Sequence, residues 1–240
     1  MRQIVLLFLI LSGCALRGPS VPKESLPWPG TVLFRASARY ELSFPGRCLK
    51  GRVYLLGDPL KCIYFEAPSP WGLTILQGVW KGKDLRVVYF PQRASYQFLF
   101  RLPGDLSQAL PYLLIRALPP FWRPWVYRAE KRNNSLWAYF HHQDLEGRLV
   151  WKAGRLQQIV IWQGTTRLLV VEYPEKTQDF LVLIKVPSLR LSLRLDFDYF
   201  QPYSQATNYC SLQSPEGFKS YSYEVDYKKA KRAFVILHIR

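Results

Sequence analysis

The sequence predicts a mainly β protein: one large curved antiparallel sheet, with one or two helices covering an apolar concave face. Three observations carry this. First, apolar and polar residues alternate with period two in segment after segment. The clearest run sets Leu189, Leu191, Leu193, Leu195 and Phe197 against Arg190, Ser192, Arg194, Asp196 and Asp198. Second, turn residues follow at short intervals: Pro45-Gly46, Gly57-Asp58-Pro59, Lys81-Gly82-Lys83, Ala153-Gly154 and Gln163-Gly164. Such spacing joins antiparallel neighbours and leaves no room for parallel crossovers. Third, helical spacing appears in one stretch only. So little helix leaves part of the apolar face open, and a partly covered apolar concavity suits a hydrophobic ligand.

The elements follow in chain order. Met1-Arg2 gives a short positive start, and Ile4 to Leu11 is an apolar run too short to span a bilayer as a mature helix. It closes on Leu11-Ser12-Gly13-Cys14, which resembles the bacterial lipobox. That resemblance implies removal of residues 1–13 as a lipoprotein signal peptide and acylation of Cys14. Several acyl chains on one residue supply the anchors that stable membrane attachment needs. Residue 15 is Ala rather than Asp, which by the enterobacterial sorting rule implies the outer membrane. Residues 14–30 carry Pro19, Pro22, Pro27 and Pro29 and read as an acylated Cys with an extended tether. Residues 31–240 read as a single β-rich domain.

Within that domain the strand expectations are 32–44, 48–56, 61–66, 73–80, 84–90, 95–101, 135–141, 147–152, 156–163, 167–173 and 180–186, then the run at 189–197. Leu106, Ala109, Leu110, Leu113, Leu114 and Ala117 predict a helix over 106–118, capped by Asp105, with Pro111 an awkward guest and Pro119-Pro120 as the stop. The aromatic run Phe121 to Trp125 reads as a loop packed back on the core. From about residue 201 a C-terminal extension is expected to form a hairpin, with Tyr221, Tyr223, Val225 and Tyr227 on one face and Phe234 to Ile239 as the last strand.

Lys plus Arg number 33 against 17 for Asp plus Glu, a charge of +16 that favours an anionic partner. An exported, acylated chain points that charge at lipid and not at nucleic acid. Cys14, Cys48, Cys62 and Cys210 contain no CxxC spacing. Pairing about the turn at Gly57-Asp58-Pro59 sets Cys62 opposite Tyr54, so Cys48 and Cys62 do not bridge, while either can pair with Cys210 in an oxidising compartment. His141 and His142 end a strand with one ring on each side. Asp196 and Asp198 share a strand face and read as ion-pair partners of Arg190 and Arg194. There is no GxSxG elbow and no phosphate-binding Gly loop. The expectation is a chain that is not an enzyme and uses neither cofactor nor metal.

Ala67-Pro68-Ser69-Pro70-Trp71-Gly72-Leu73-Thr74-Ile75-Leu76 resembles the strand–loop–strand of the LolA/LolB lipoprotein carriers. The leading strands 34–44, 51–56 and 60–66 and the helical stretch after Leu102-Pro103-Gly104 follow the same order. The resemblance spans residues 31–200 and implies a half-barrel with a helical lid that encloses acyl chains. The chain departs from the family in its Pro-rich tether, in residues 201–240 and in its strong positive charge.

The family implies an outer-membrane-anchored, periplasm-facing lipoprotein that binds acyl chains of lipids or lipoproteins and helps insert them. Its partners are then membrane lipid, acyl chains and a periplasmic LolA-like carrier, with the chain itself a monomer. Leu191, Leu193, Leu195 and Phe197 are expected to line the cavity. Trp71, held between Pro70 and Gly72, is expected with Leu73 to form the membrane-contact loop; the other reading folds Trp71 back as a cap. The alternative function is a structural envelope lipoprotein whose basic surface docks on anionic lipid or a partner complex.

Overall fold

The computed structural model describes residues 19–175, 180–204 and 209–226. Its strands are β1 (Phe34–Phe44), β2 (Arg47–Asp58), β3 (Cys62–Pro68), β4 (Thr74–Lys81), β5 (Asp84–Tyr89), β6 (Ala94–Arg101), β7 (Val126–Arg132), β8 (Ser135–His142), β9 (Leu145–Lys152), β10 (Arg155–Gln163), β11 (Thr166–Glu172), β12 (Phe180–Val186), β13 (Leu191–Pro202) and β14 (Lys219–Asp226). They form one sheet in the order β14-β6-β5-β4-β3-β2-β1-β13-β12-β11-β10-β9-β8-β7. The sheet is open and curved, a half-barrel.

Register explains why the sheet has two different faces. One cross-strand row reads Ala129, Ala138, Leu149, Ile159, Val171, Ile184, Leu193, Leu42 and Leu49 from β7 to β2. The next row reads Glu130, Trp137, Val150, Gln158, Glu172, Leu183, Arg194, Glu41 and Lys50. Successive residues point to opposite faces, so the apolar row lies on the concave side, buried from Ala129 to Ile184 and open at Leu49, and the mixed row faces out. Three inward-facing glycines sit opposite aromatic partners: Gly51 by Tyr40, Gly78 by Phe65 and Gly147 by Phe140. A Cβ on any of them would fall within 3.0 Å of the partner's ring, so each ring lies flat on bare backbone.

Helix α1 (Leu106–Leu113) lies over the concave face, burying Leu106, Ala109 and Leu113. It is shorter than the 106–118 expectation. Residues 114–117 instead close a turn, with Ile115 N–H donating to the Tyr112 carbonyl at 3.1 Å and Arg116 at φ +59°. Asp105 stands in the left-handed region and makes no side-chain cap bond, contrary to the capping expected of it. The aromatic connection is a 3₁₀ segment, Pro120–Trp125, whose Trp122 is buried and stacks on Phe140 at 5.0 Å. Strand β7 directly after it was not expected. A register shift between Val126 and Arg128 breaks its period-two signal.

Two terminal segments depart from the expectations. From Pro19 onward, the stretch read as a tether is seated on the body. Val21 N–H donates to Ala129 at 3.0 Å, Lys131 N–H donates to Pro19 at 3.1 Å, and Leu26 is buried. These bonds cover the open edge of β7. At the other end β14 pairs parallel with β6, an arrangement the sequence did not suggest. The chain between Pro202 and Lys219 leads from β13 to β14 at the sheet edge beside β6. Cys62–Cys210 is a disulfide, which selects one of the two pairings left open, and Cys48 is free and exposed. Cys62, Val79 and Val88 are buried outside the main core, on the outer face. Phe218 packs edge-on against Phe90 there, at 5.8 Å. The expected last strand, 234–239, lies outside the described residues.

Candidate functional site

Most of the concave face over β7–β12 is filled, with Trp122, Trp151, Tyr173, Phe34 and Phe140 fully buried. Space remains at one rim. A cavity of about 610 Å³ opens where β10, β12, β13 and β1 end. That volume falls within the roughly 300–1,000 Å³ of small-molecule sites. Its apolar wall includes Val32, Ile115, Phe180, Phe197 and Phe200; its charged lining is Arg116, Arg155, Glu175 and Asp198.

A bulge builds the aromatic wall. The register of β1 on β13 runs Ser37 with Tyr199 and then Ala38 with Phe197, leaving Asp198 as the extra residue. The shift turns both Phe197 and Phe200 inward. Phe197 stacks on Phe180 at 4.7 Å, and Phe200 stacks on Phe34 at 5.2 Å. Asp198 turns out and is held by Arg39 at 3.4 Å and Arg52 at 3.2 Å. Asp196 meets Arg194 and Arg39, at 3.6 and 3.7 Å, so the partners of the acid pair come mainly from neighbouring strands; Arg190 is not among those contacts.

Arg116 is the unusual member. Its Nε donates to the Leu156 carbonyl at 2.7 Å, and its guanidinium lies 5.6 Å over the Tyr173 ring. Its Nη2 is buried with no hydrogen-bond partner. Burial pulls the guanidinium below its ordinary pKa, with Tyr173 and Glu175 opposing and Arg155 adding to the drop. Tyr173 itself is fully buried and donates to the Leu113 carbonyl at 2.9 Å; burial pushes its hydroxyl strongly up.

The structure separates the residues expected to line the cavity. Phe197 does so. Leu195 is packed in the core, and Leu191 and Leu193 are half-buried further along β13, outside the lining. The alternation identified the inward face but not where along the strand that face is left open. Trp71 and Leu73 are 88% and 71% exposed on the β3–β4 loop, so Trp71 does not fold back as a cap. Gly72 at φ +80° and the Ser69 hydroxyl, which accepts from Leu73 N–H at 3.2 Å, shape that loop. His142 stacks on Trp125 at 3.5 Å while His141 is exposed. Cys14 lies outside the described residues.

Sequence reasoning missed Arg116, Phe180 and Phe200. It also missed the outer face of β7–β10. There Arg148 lies 4.7 Å from the ring of Trp137 and 5.6 Å from that of Trp162, and Arg132 covers Trp137 at 5.1 Å. Buried Glu130 is paired with Arg128 and Arg132 and accepts from the Tyr139 hydroxyl at 3.1 Å.

No protein-family model and no curated relative matches the chain. Among solved structures it is similar to a LolA superfamily protein from Nitrosomonas europaea, at 12% identity and a TM-score of 0.48, covering 77% of this chain and 92% of that one. It is also similar to a DUF1329 family protein from Desulfovibrio piger, at 8% and 0.47, over 79% and 92% of the two chains. A third is an outer membrane lipoprotein-sorting protein domain from Vibrio parahaemolyticus, at 9% and 0.46, over 78% and 91%.

Proposed function

We propose that this chain is an envelope lipoprotein, anchored through Cys14 to the outer membrane, that takes an acyl chain of a lipid or lipoprotein into the half-barrel and helps pass it to the bilayer. One observation carries the reading: a phenylalanine-walled cavity opens at the rim where β10, β12, β13 and β1 end, beside a concave face that is filled over most of β7–β12. Where the chain enters the body supports it. Pro19 is bonded to Lys131 near the end of β7, and Cys14 precedes it by five residues, which reach at most about 17 Å when extended. Arg132, Ser135, Lys152 and Arg155 form one cross-strand row over β7–β10. Arg155 at the cavity mouth is therefore three strands from the β7 edge, about 14 Å at the usual strand spacing. An acyl anchor on Cys14 holds the mouth close to the membrane to which a chain would be passed.

Trp71 and Leu73 stand on the β3–β4 loop at the rim opposite the cavity mouth. In this reading they are a separate membrane contact and not one beside the anchor, because large apolar side chains at a loop tip are costly to leave in water. The structural alternative has an observation of its own, the arginine–aromatic array on the outer face of β7–β10, which suits anionic headgroups. The test is to extract the full chain gently and identify its retained lipid by mass spectrometry. A stoichiometric acyl lipid other than the anchor is expected. A chain that carries none, and takes up no fluorescent fatty acid, leaves the structural reading.

A further inference from the structure

The cavity wall includes two cations that an acyl chain alone does not engage. Arg116 and Arg155 both line it, and neither has an ion pair among the described residues. The carboxylates beside them bond mainly elsewhere, although the charge of Glu175 also acts on Arg116. Asp198 is held by Arg39 and Arg52, and Glu175 accepts from Gln157 at 3.2 Å with Lys152 at 3.9 Å. Arg116 gives its Nε to the Leu156 carbonyl, and its Nη2 is buried without an acceptor, so the part of the guanidinium that lines the cavity is what a headgroup meets. Behind these cations lies an aromatic wall of Phe180, Phe197 and Phe200 that offers no polar partner. An oxyanion at the mouth with an apolar tail on that wall satisfies both halves of the site.

We propose that the ligand is an anionic amphiphile, its phosphate or carboxylate head held by Arg116 and Arg155 and its acyl chain laid on Phe180, Phe197 and Phe200. This rests on the acyl-binding reading above and specifies the class of molecule that fills the same cavity. Zwitterionic and neutral lipids with the same chain lack the net charge that the mouth selects.

The test is native mass spectrometry of the full chain in non-ionic detergent, offered equal amounts of lysophosphatidylglycerol and lysophosphatidylcholine with identical acyl chains. The anionic lipid is expected to be bound about ten-fold over the zwitterionic one, the scale of one charge-assisted hydrogen bond. Arg155→Gln, at the exposed start of β10, should reduce that ratio with an unchanged melting temperature; Arg116→Gln should abolish it, and Arg116→Lys should keep part of it. Inorganic phosphate alone should not displace the lipid. Equal binding of both lipids, or a preference untouched by Arg116→Gln and Arg155→Gln, overturns the headgroup assignment and leaves acyl binding standing. Displacement by inorganic phosphate overturns it in favour of a free-anion site. Binding of neither lipid overturns both readings.

Discussion

Phe180 on β12 and Phe197 on β13 stack at 4.7 Å across the strand pair, with their planes 21° apart, and the cavity opens against that pair. Neither ring is free to retreat: Phe200 meets each edge-on, at 5.6 and 6.0 Å. The wall is therefore formed before any ligand arrives, and a chain entering it need not order these side chains first.

The loop contact is separable from the cavity. Trp71→Glu is expected to leave the melting temperature and fatty-acid binding unchanged, because the side chain is almost wholly exposed. Association of the chain lacking its acyl anchor with liposomes should fall, measured by co-sedimentation. A melting temperature several degrees lower, with liposome association intact, would show that the indole serves the fold.

The anchor is tested by labelling. Cys14→Ser should give a precursor that is not processed and takes up no radiolabelled palmitate. Label retained in that variant would contradict the lipoprotein reading.

Glu130 sets an acid limit on stability. Burial alone would raise its pKa, but hydrogen bonds from Arg128 and Tyr139 and the charges of Arg128 and Arg132 outweigh burial and lower it. A carboxyl lowered on folding stabilises the protein above the ordinary carboxylate range, and the gain is lost as pH falls through the folded value. Glu130→Gln is expected to cost about 2 kcal/mol at pH 7, below the usual penalty for a broken buried pair because its arginines are partly exposed. Urea titrations should also show a shallower acid slope for this variant. Equal slopes in variant and parent would remove Glu130 from the account.

The disulfide ties the C-terminal crossover to the outer face of β3. Cys210→Ser should lower unfolding free energy by about 3 kcal/mol. Hydrogen exchange should rise first in β14, whose partner in the sheet is β6. Uniform loss across all strands would mean that the crossover is not a separate unit.

Gly147→Ala tests the close aromatic packing. A β-strand normally gains from Gly→Ala, but the added Cβ would meet the Phe140 ring at 2.0 Å. Destabilisation of about 2 kcal/mol in thermal or urea unfolding is expected, and a neutral or stabilised variant would show that the ring can move aside.

The sheet was legible because β13 alternates as far as its bulge and because short turns join most neighbouring strands. β7 was hidden by the irregularity at Tyr127, which removes one beat of the period. The parallel placement of β14 was hidden for another reason: alternation fixes a strand's faces and says nothing of its neighbour. Phe197 was legible as inward-facing. Phe200 was not, because it reaches the same face only through the bulge at Asp198. Arg116 carried no signal, since a cation in a helical stretch ordinarily faces water, and its burial follows from the left-handed turn at that residue.

The central claim is that an acyl chain occupies the cavity walled by Phe180, Phe197 and Phe200. Val32 lines that cavity and is 48% exposed, so Val32→Trp can fill it without disturbing the packed core. The measurement is the equilibrium binding of a fluorescent fatty acid to the parent chain and to Val32→Trp, with the melting temperature of each. The account predicts tight binding by the parent and binding weaker by at least about ten-fold, or about 1.4 kcal/mol, in a variant that melts at the same temperature. Undiminished binding by folded Val32→Trp would contradict it.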